Sequence, residues 1–198
     1  MGELWILGLA YLLGAIPSGL LLVRLMKGED VRRIGSGNIG ATNVLRAAGW
    51  KAGLLVFAAD AGKGWLAVWI AERAPEGSPS WPASALLAAV AGNTLNVFLK
   101  FRGGKGFATA AGSMAALAPL PAAALAAVFF ATAALTRHVS AGSIATAISA
   151  PLAVWIIEHP GPRPILLVAA AAGLIVFRHR ENIRRLREGC EPVFRLRK

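Results

Sequence analysis

Uncharged runs alternate with basic segments along the chain. Leu4 to Val23 is twenty residues without a charge, and a helix of that length, rising about 1.5 Å per residue, spans a hydrocarbon core of about 30 Å. It reads as a retained span, since no basic region precedes it and no small-residue cleavage site follows. Ala52–Ile70, interrupted by Asp60 and Lys63, predicts a second span, and Ala83–Leu99 a third. Phe107–Thr136 is thirty uncharged residues. As one helix it would be about 45 Å long, too long for one crossing. Ala118-Pro119-Leu120-Pro121 removes two backbone donors and predicts a turn that divides it into two helices. Ala141–Ile157 follows. Pro164–Phe177 is short at fourteen residues, and Arg178 can extend it by snorkelling. The pattern predicts an all-α, polytopic integral membrane protein: seven transmembrane helices in a single membrane domain over residues 1–198.

Charge orients these spans. The chain is 56% apolar and 16% charged, with a net charge of +11, against about 25% charged residues in an ordinary soluble domain. That composition excludes a disordered chain and argues against a soluble enzyme. With seven spans, the segments 24–51, 100–105, 137 and 178–198 fall on one side and hold 18 of the 21 basic residues. The positive-inside rule then sets the N-terminus outside and the C-terminus in the cytoplasm. Basic residues that hug membrane boundaries serve orientation and lipid headgroup contact. Arg178–Glu188 (RHRENIRRLRE) reads as a cationic interfacial helix. A nucleic-acid partner would need a water-soluble basic face with base-reading groups, and none is visible. The single Cys190 excludes a disulfide framework, and no residue set has metal-ligand spacing. The connection 74–82, rich in Pro and Ser, reads as linker.

The cytoplasmic motif loops (about 24–51, 100–106, 136–143 and 178–198) carry the candidate chemistry. Gly35-Ser36-Gly37-Asn38-Ile39-Gly40 alternates glycine with small residues, and Thr42, Asn43 and Arg46 follow. Glycines let successive N–H groups converge into an anion nest, and Arg46 can grip an oxyanion with two donors. A flexible linker fits the composition equally well. Lys100–Gly106 sets Lys105 among Gly103, Gly104 and Gly106. Such a lysine can reach a phosphate as a point charge, although, taken alone, a tight positive-inside turn explains the segment better. Ser140 or Ser143 is expected to cap the following helix. His179 lies just past the last span. Asp60 and Lys63 lie three apart on one helix face at membrane depth, where charges are costly and mark a site by default. Because they compensate each other, a structural role is favoured.

Four segments together resemble the acyl-phosphate-dependent glycerol-3-phosphate acyltransferase family of bacteria, often written PlsY. They are GSGNIGATNVLRAAG at Gly35–Gly49, FLKFRGGKGFATA at Phe98–Ala110, TRHVSAGSI at Thr136–Ile144 and HRENIRRL at His179–Leu186. Asp60-Ala61-Gly62-Lys63-Gly64 resembles a further family segment, and the segments run in family order. The resemblance implies transfer of a fatty acyl group from acyl phosphate to the sn-1 hydroxyl of glycerol 3-phosphate. The products are 1-acylglycerol 3-phosphate (lysophosphatidate) and inorganic phosphate, the opening step of phospholipid synthesis. No metal or organic cofactor is implied. The partners would be the two substrates and membrane lipid, with a monomer sufficing and the active site facing the cytoplasm from a bacterial inner membrane.

Carried over by motif, the resemblance implies phosphate contacts from Ser36, Gly37, Asn38, Gly40, Asn43 and Arg46. It sets Lys105 on a substrate phosphate with Gly103, Gly104 and Gly106 shaping the approach, and Ser143, His179 and Asn182 around the reacting centre. His179 can orient the acceptor hydroxyl or take its proton, directly or through water, and a phosphate oxygen could equally take it. Two departures stand out. Gly92-Asn93 replaces the family's usual Gly-His, and Asn cannot titrate near neutral pH, so the position reads as structural. Arg137-His138-Val139-Ser140 replaces Arg-Tyr-Val-Ser. A transporter of phosphorylated small molecules is the rival from another class, although the inverted repeats common in transporters are not visible. A scaffold without chemistry would leave the paired basic loops without a purpose.

Overall fold

A computed structural model describes residues 4–74 and 80–193, and these are helical and loop throughout, with no strand among them. The helices are α1 (Leu4–Ala15), α2 (Ser18–Lys27), α3 (Ala41–Ala48), α4 (Trp50–Glu72), α5 (Trp81–Thr94), α6 (Phe107–Leu117), α7 (Pro119–Thr136), α8 (Val139–Glu158), α9 (Pro162–Arg178) and α10 (Arg180–Arg187). Residues 75–79 of the expected linker, and the end of the basic tail from 194 onward, lie outside the described residues.

Among the described residues, five stretches are long and apolar enough to cross a membrane: Leu4–Lys27, Trp50–Glu72, Trp81–Leu99, Pro119–Thr136 and Val139–Glu158. Pro162–Arg178 with Arg180–Arg187, bent by 56°, makes a sixth if the bent pair is one span. The expected break in the thirty-residue block falls at Ala118, between α6 and α7. The division is uneven, because Pro119 and Pro121 start a helix readily but cannot continue one. Large apolar side chains such as Trp5, Leu54, Leu55, Phe130 and Leu166 point outward, where a bilayer would cover them.

Leu4–Val23 is not one helix but two. Pro17 interrupts the hydrogen-bond ladder, and the freed carbonyls find partners on other helices. Asn96 Nδ2 donates to the Ala15 carbonyl at 2.6 Å. Lys63 Nζ donates to the Ile16 carbonyl at 2.8 Å and pairs with Asp60 at 2.8 Å. The two intramembrane charges therefore stitch α4 to the break between α1 and α2. Likewise, Ala83–Leu99 is helical only to Thr94, and a short 3-10 turn at Val97–Leu99 leads into the basic loop.

Small residues let the helices approach closely. A Cβ on Gly112 would run into the Ala61 carbonyl, and one on Gly64 into the Thr109 carbonyl, so α4 and α6 meet backbone to backbone. Gly14 and Gly92 bring α1 against α5 in the same way. Gly112→Leu should therefore destabilise the protein by about 1–3 kcal/mol, read as a lower thermal unfolding midpoint in lipid. Gly62→Ala, which faces open space, should leave that midpoint unchanged or raise it.

Candidate active site

The loop before α3 is built around one amide. Asn43 is 2% exposed. Its Nδ2 donates to the carbonyls of Val31, Ile34 and Asn38, and its Oδ1 accepts from the Ser36 N–H at 3.0 Å. Asn38 Oδ1 accepts from the Gly40 N–H at 2.8 Å. These bonds fix the loop and present Ser36, the first turn of α3 and Arg46 to a shared cavity. The N–H groups of Ala41 and Thr42 open the helix, where backbone donors have no helical partner.

The second loop is pinned from both sides. The Gly103 and Gly104 N–H groups donate to the carbonyls of Thr94 and Asn93. Gly106, at φ 79, donates to Asn93 Oδ1 at 3.1 Å, a backbone angle that favours glycine. From α9, Arg178 donates to the Gly103 and Gly104 carbonyls at 2.7 and 3.1 Å. Lys105 is thereby turned inward. Its Nζ donates to Asn182 Oδ1 at 2.6 Å, and Asn182 Nδ2 donates to Glu191 Oε1 at 2.6 Å. Ser140 Oγ donates to the same oxygen at 2.6 Å, and Arg185 Nε to Glu191 Oε2 at 2.7 Å. His179, 2% exposed, has Nδ1 2.8 Å from the Ile175 carbonyl. A carbonyl only accepts, so Nδ1 carries the proton and Nε2 is left as an acceptor.

Electrostatics follow from burial and crowding. Burial pushes the Lys105 ammonium down to about 8. Glu191 draws it back up, and Arg185, Arg46 and Arg178 push it down again. Burial, with the Lys105 charge added, pushes His179 down to about 4, against upward pulls from the Ile175 hydrogen bond and Glu191. The imidazole is neutral at physiological pH. Burial pushes the Glu191 carboxyl up, and the hydrogen bonds from Ser140, Asn182 and Arg185 more than offset it, for a net lowering.

These groups line a polar cavity of about 500 Å³. Phe57, Phe107 and Phe129 line both it and an apolar cavity of about 160 Å³ between α6, α7, α8 and α9. The Phe107 and Phe129 rings stack there at 5.2 Å. A cationic chamber adjoining an apolar one suits a molecule with an anionic head and a hydrocarbon tail.

The family model described as glycerol-3-phosphate acyltransferase matches residues 4–189. The chain belongs to the glycerol-3-phosphate acyltransferase family. A glycerol-3-phosphate acyltransferase of Geotalea daltonii is 47% identical over 188 residues, covering 94% of each chain. One from Geobacter sulfurreducens is 43% identical over 197 residues, covering 98% of this chain and 99% of its own. A crystal structure of the integral membrane glycerol 3-phosphate acyltransferase PlsY in its glycerol 3-phosphate form has a TM-score of 0.91 at 40% identity. It covers 98% of this chain and 96% of its own. The lysophosphatidic acid form of PlsY gives a TM-score of 0.88 at 38% identity. This acyltransferase is accordingly an integral membrane protein.

Within the acyltransferase site, the structure brings together Ser36, Asn38, Gly40, Asn43, Arg46, Lys105, Gly106, Ser143, His179 and Asn182. It leaves Gly37, Gly103 and Gly104 outside the cavity lining. The Gly37 N–H donates to Ile34 O, so these three glycines shape loops rather than present donors. The Asn43 amide is likewise engaged inside its loop. Neither Ser140 nor Ser143 caps α8: Ser140 bonds Glu191, and Ser143 Oγ donates back to the Val139 carbonyl at 3.0 Å. Asn93 takes the structural part expected of it, holding Gly104 and Gly106. Arg185, Glu191 and Asp60 also line the cavity and were not singled out for it. Arg185 lies inside the quoted HRENIRRL segment, whereas Glu191 lies beyond α10, where no periodicity points to it.

The Lys105 value carries a pH prediction. The charged ammonium binds an anion, so kcat/KM for a phosphorylated acceptor should be level from about pH 7, where the acceptor phosphate is a dianion, to about pH 8. Above it the value should fall about tenfold per unit. A pH profile of initial rates checks this, and any inflection near pH 6 should belong to the acceptor phosphate and persist in His179→Ala, since His179 is neutral there.

Proposed function

We propose that the chain transfers an acyl group from an acyl phosphate to the sn-1 hydroxyl of glycerol 3-phosphate, giving lysophosphatidate and inorganic phosphate. The observation that carries this reading is the wall of Phe57, Phe107 and Phe129 shared by a cationic cavity and an apolar one. The acceptor and the donor head are both phosphorylated, and the donor tail must stay among apolar side chains. The relatives' name and the ligands of the two similar structures support the same acceptor and product.

In this reading Lys105, Arg46, Ser36 and the opening N–H groups of α3 hold phosphate oxygens. Ser143 and Asn182 frame the reacting centre, and His179 Nε2 accepts a hydrogen bond from the sn-1 hydroxyl. That oxygen attacks the acyl carbonyl carbon, and the carbon–oxygen bond to phosphate breaks. The leaving phosphate takes the hydroxyl proton, because the anion released as the carbon–oxygen bond breaks is a far stronger base than an imidazole held at about 4. Acyl phosphate is already an activated anhydride, so positioning and charge stabilisation suffice.

The same reading sets one membrane domain with seven spans. Arg46, the Asn93–Lys105 loop, Ser140 and His179 all meet at one cavity. This supports paired crossings by α4 with α5, α6 with α7 and α8 with α9, and α1 with α2 adds the seventh. The positive-inside count supports an outside N-terminus, a cytoplasmic C-terminus and a cytoplasm-facing site in a bacterial inner membrane. A monomer surrounded by lipid contains every group invoked.

The test supplies acyl phosphate and glycerol 3-phosphate to the purified full chain in lipid vesicles. Lysophosphatidate and phosphate should appear in equal amounts. Glycerol 3-phosphate accumulating inside the vesicles without lysophosphatidate would mean a transporter instead.

A further inference from the structure

Asp60 has a part in the α1–α2 stitch, yet it also lines the cationic cavity, where a negative charge is out of place. We infer that Asp60 sets acceptor specificity, its carboxylate accepting a hydrogen bond from the second, unreacting hydroxyl of the glycerol phosphate. The inference rests on the cavity being the acyl-acceptor site, as proposed above.

Among the described residues lining the cavity, the carboxylates are Asp60 and Glu191. Both Glu191 oxygens are engaged by Ser140, Asn182 and Arg185. Asp60 differs. Its Oδ1 is sealed from solvent beside Lys63 Nζ at 2.8 Å. Its Oδ2 has no protein hydrogen bond among the described residues, and the side chain keeps 9% exposure at the cavity wall. A carboxylate repels phosphate and gains nothing from a hydrocarbon tail, so the group it suits is a hydrogen-bond donor. Glycerol 3-phosphate carries two hydroxyls. His179 Nε2 accepts from one, and Asp60 accepts from the other. Lys63, anchored on the Ile16 carbonyl, fixes the carboxylate in place at 2.8 Å. Anchoring the helix break needs only the Lys63 ammonium; a carboxylate open to the cavity exceeds what the stitch requires.

The experiment compares initial rates on glycerol 3-phosphate and on propane-1,3-diol monophosphate, the same acceptor without the sn-2 hydroxyl. It uses the full chain in lipid at saturating acyl phosphate. The unmodified protein should prefer glycerol 3-phosphate by about a hundredfold or more in kcat/KM, since the shorter donor set leaves a buried carboxylate unpaired. The double variant Asp60→Ala with Lys63→Met removes both charges and leaves no orphan ammonium, and its preference should collapse toward unity. Asp60→Asn keeps the contact with Lys63 through its amide oxygen. It carries the test if the double variant does not fold, with the preference dropping about tenfold. A helix stitch alone would lower stability and both rates together without changing their ratio. Equal rates on the two acceptors in the unmodified protein, or an unchanged ratio in a folded variant, would overturn the inference. If the unmodified protein acylates neither acceptor, the proposed function itself fails, and the inference falls with it.

Discussion

Replacing Lys105 with Ala should lower kcat/KM for glycerol 3-phosphate by about a thousandfold, which is about 4 kcal/mol of transition-state stabilisation. The ammonium is half-buried and turned inward by a loop pinned to Asn93, Thr94 and Arg178, and among the described residues its hydrogen bond runs to Asn182. In a cavity shielded from water a positive charge acts on a phosphate far more strongly than at a surface. Lys105→Arg should recover little. The guanidinium is planar and larger than an ammonium, and the loop is packed closely enough that a Cβ on Gly103 would meet the Asn93 carbonyl. Initial rates in lipid, with yield and thermal midpoint as controls for folding, check both variants. Unchanged kcat/KM in folded Lys105→Ala would remove the ammonium from the account.

The second large effect belongs to His179. His179→Ala should lower kcat by about a hundredfold or more while changing KM for glycerol 3-phosphate little. In the proposed reading Lys105 and Arg46 hold the phosphate, whereas His179 Nε2 takes a hydrogen bond from the attacking hydroxyl alone. Because burial and the Lys105 charge hold its pKa down to about 4, the imidazole is a weak base, and in this reading it orients the hydroxyl. An acid limb near pH 6 that disappears in His179→Ala would mean the imidazole titrates in the working range, contrary to its burial.

The sequence made the helical class and the site segments legible for different reasons. Long uncharged runs are a strong signal because lipid leaves the backbone few alternatives to a helix. The proline pair at 119 and 121 marked a real break. Pro17 broke α1 from α2 without being read that way, because the partners that make the break tolerable, Asn96 and Lys63, lie far along the chain. In the site, Lys105, His179 and Asn182 stand out as motif residues and Gly103, Gly104 and Gly106 as loop-shaping ones, whereas Gly37, expected on a phosphate, turns its loop instead. Whether a glycine presents its N–H to a ligand or turns a loop depends on which carbonyl faces it, as Gly37 and Ile34 illustrate. Ser140 looked like a helix cap because the sequence could not reveal Glu191 folding back across 51 positions to claim its hydroxyl.

A structure of the full chain with glycerol 3-phosphate bound would probe the two-phosphate cavity most directly. The account predicts phosphate oxygens about 3 Å from Lys105 Nζ and from the Arg46 guanidinium, with one hydroxyl on His179 Nε2. Glycerol 3-phosphate seated away from Lys105, with the ammonium still on Asn182 and the cavity filled by something else, would contradict it.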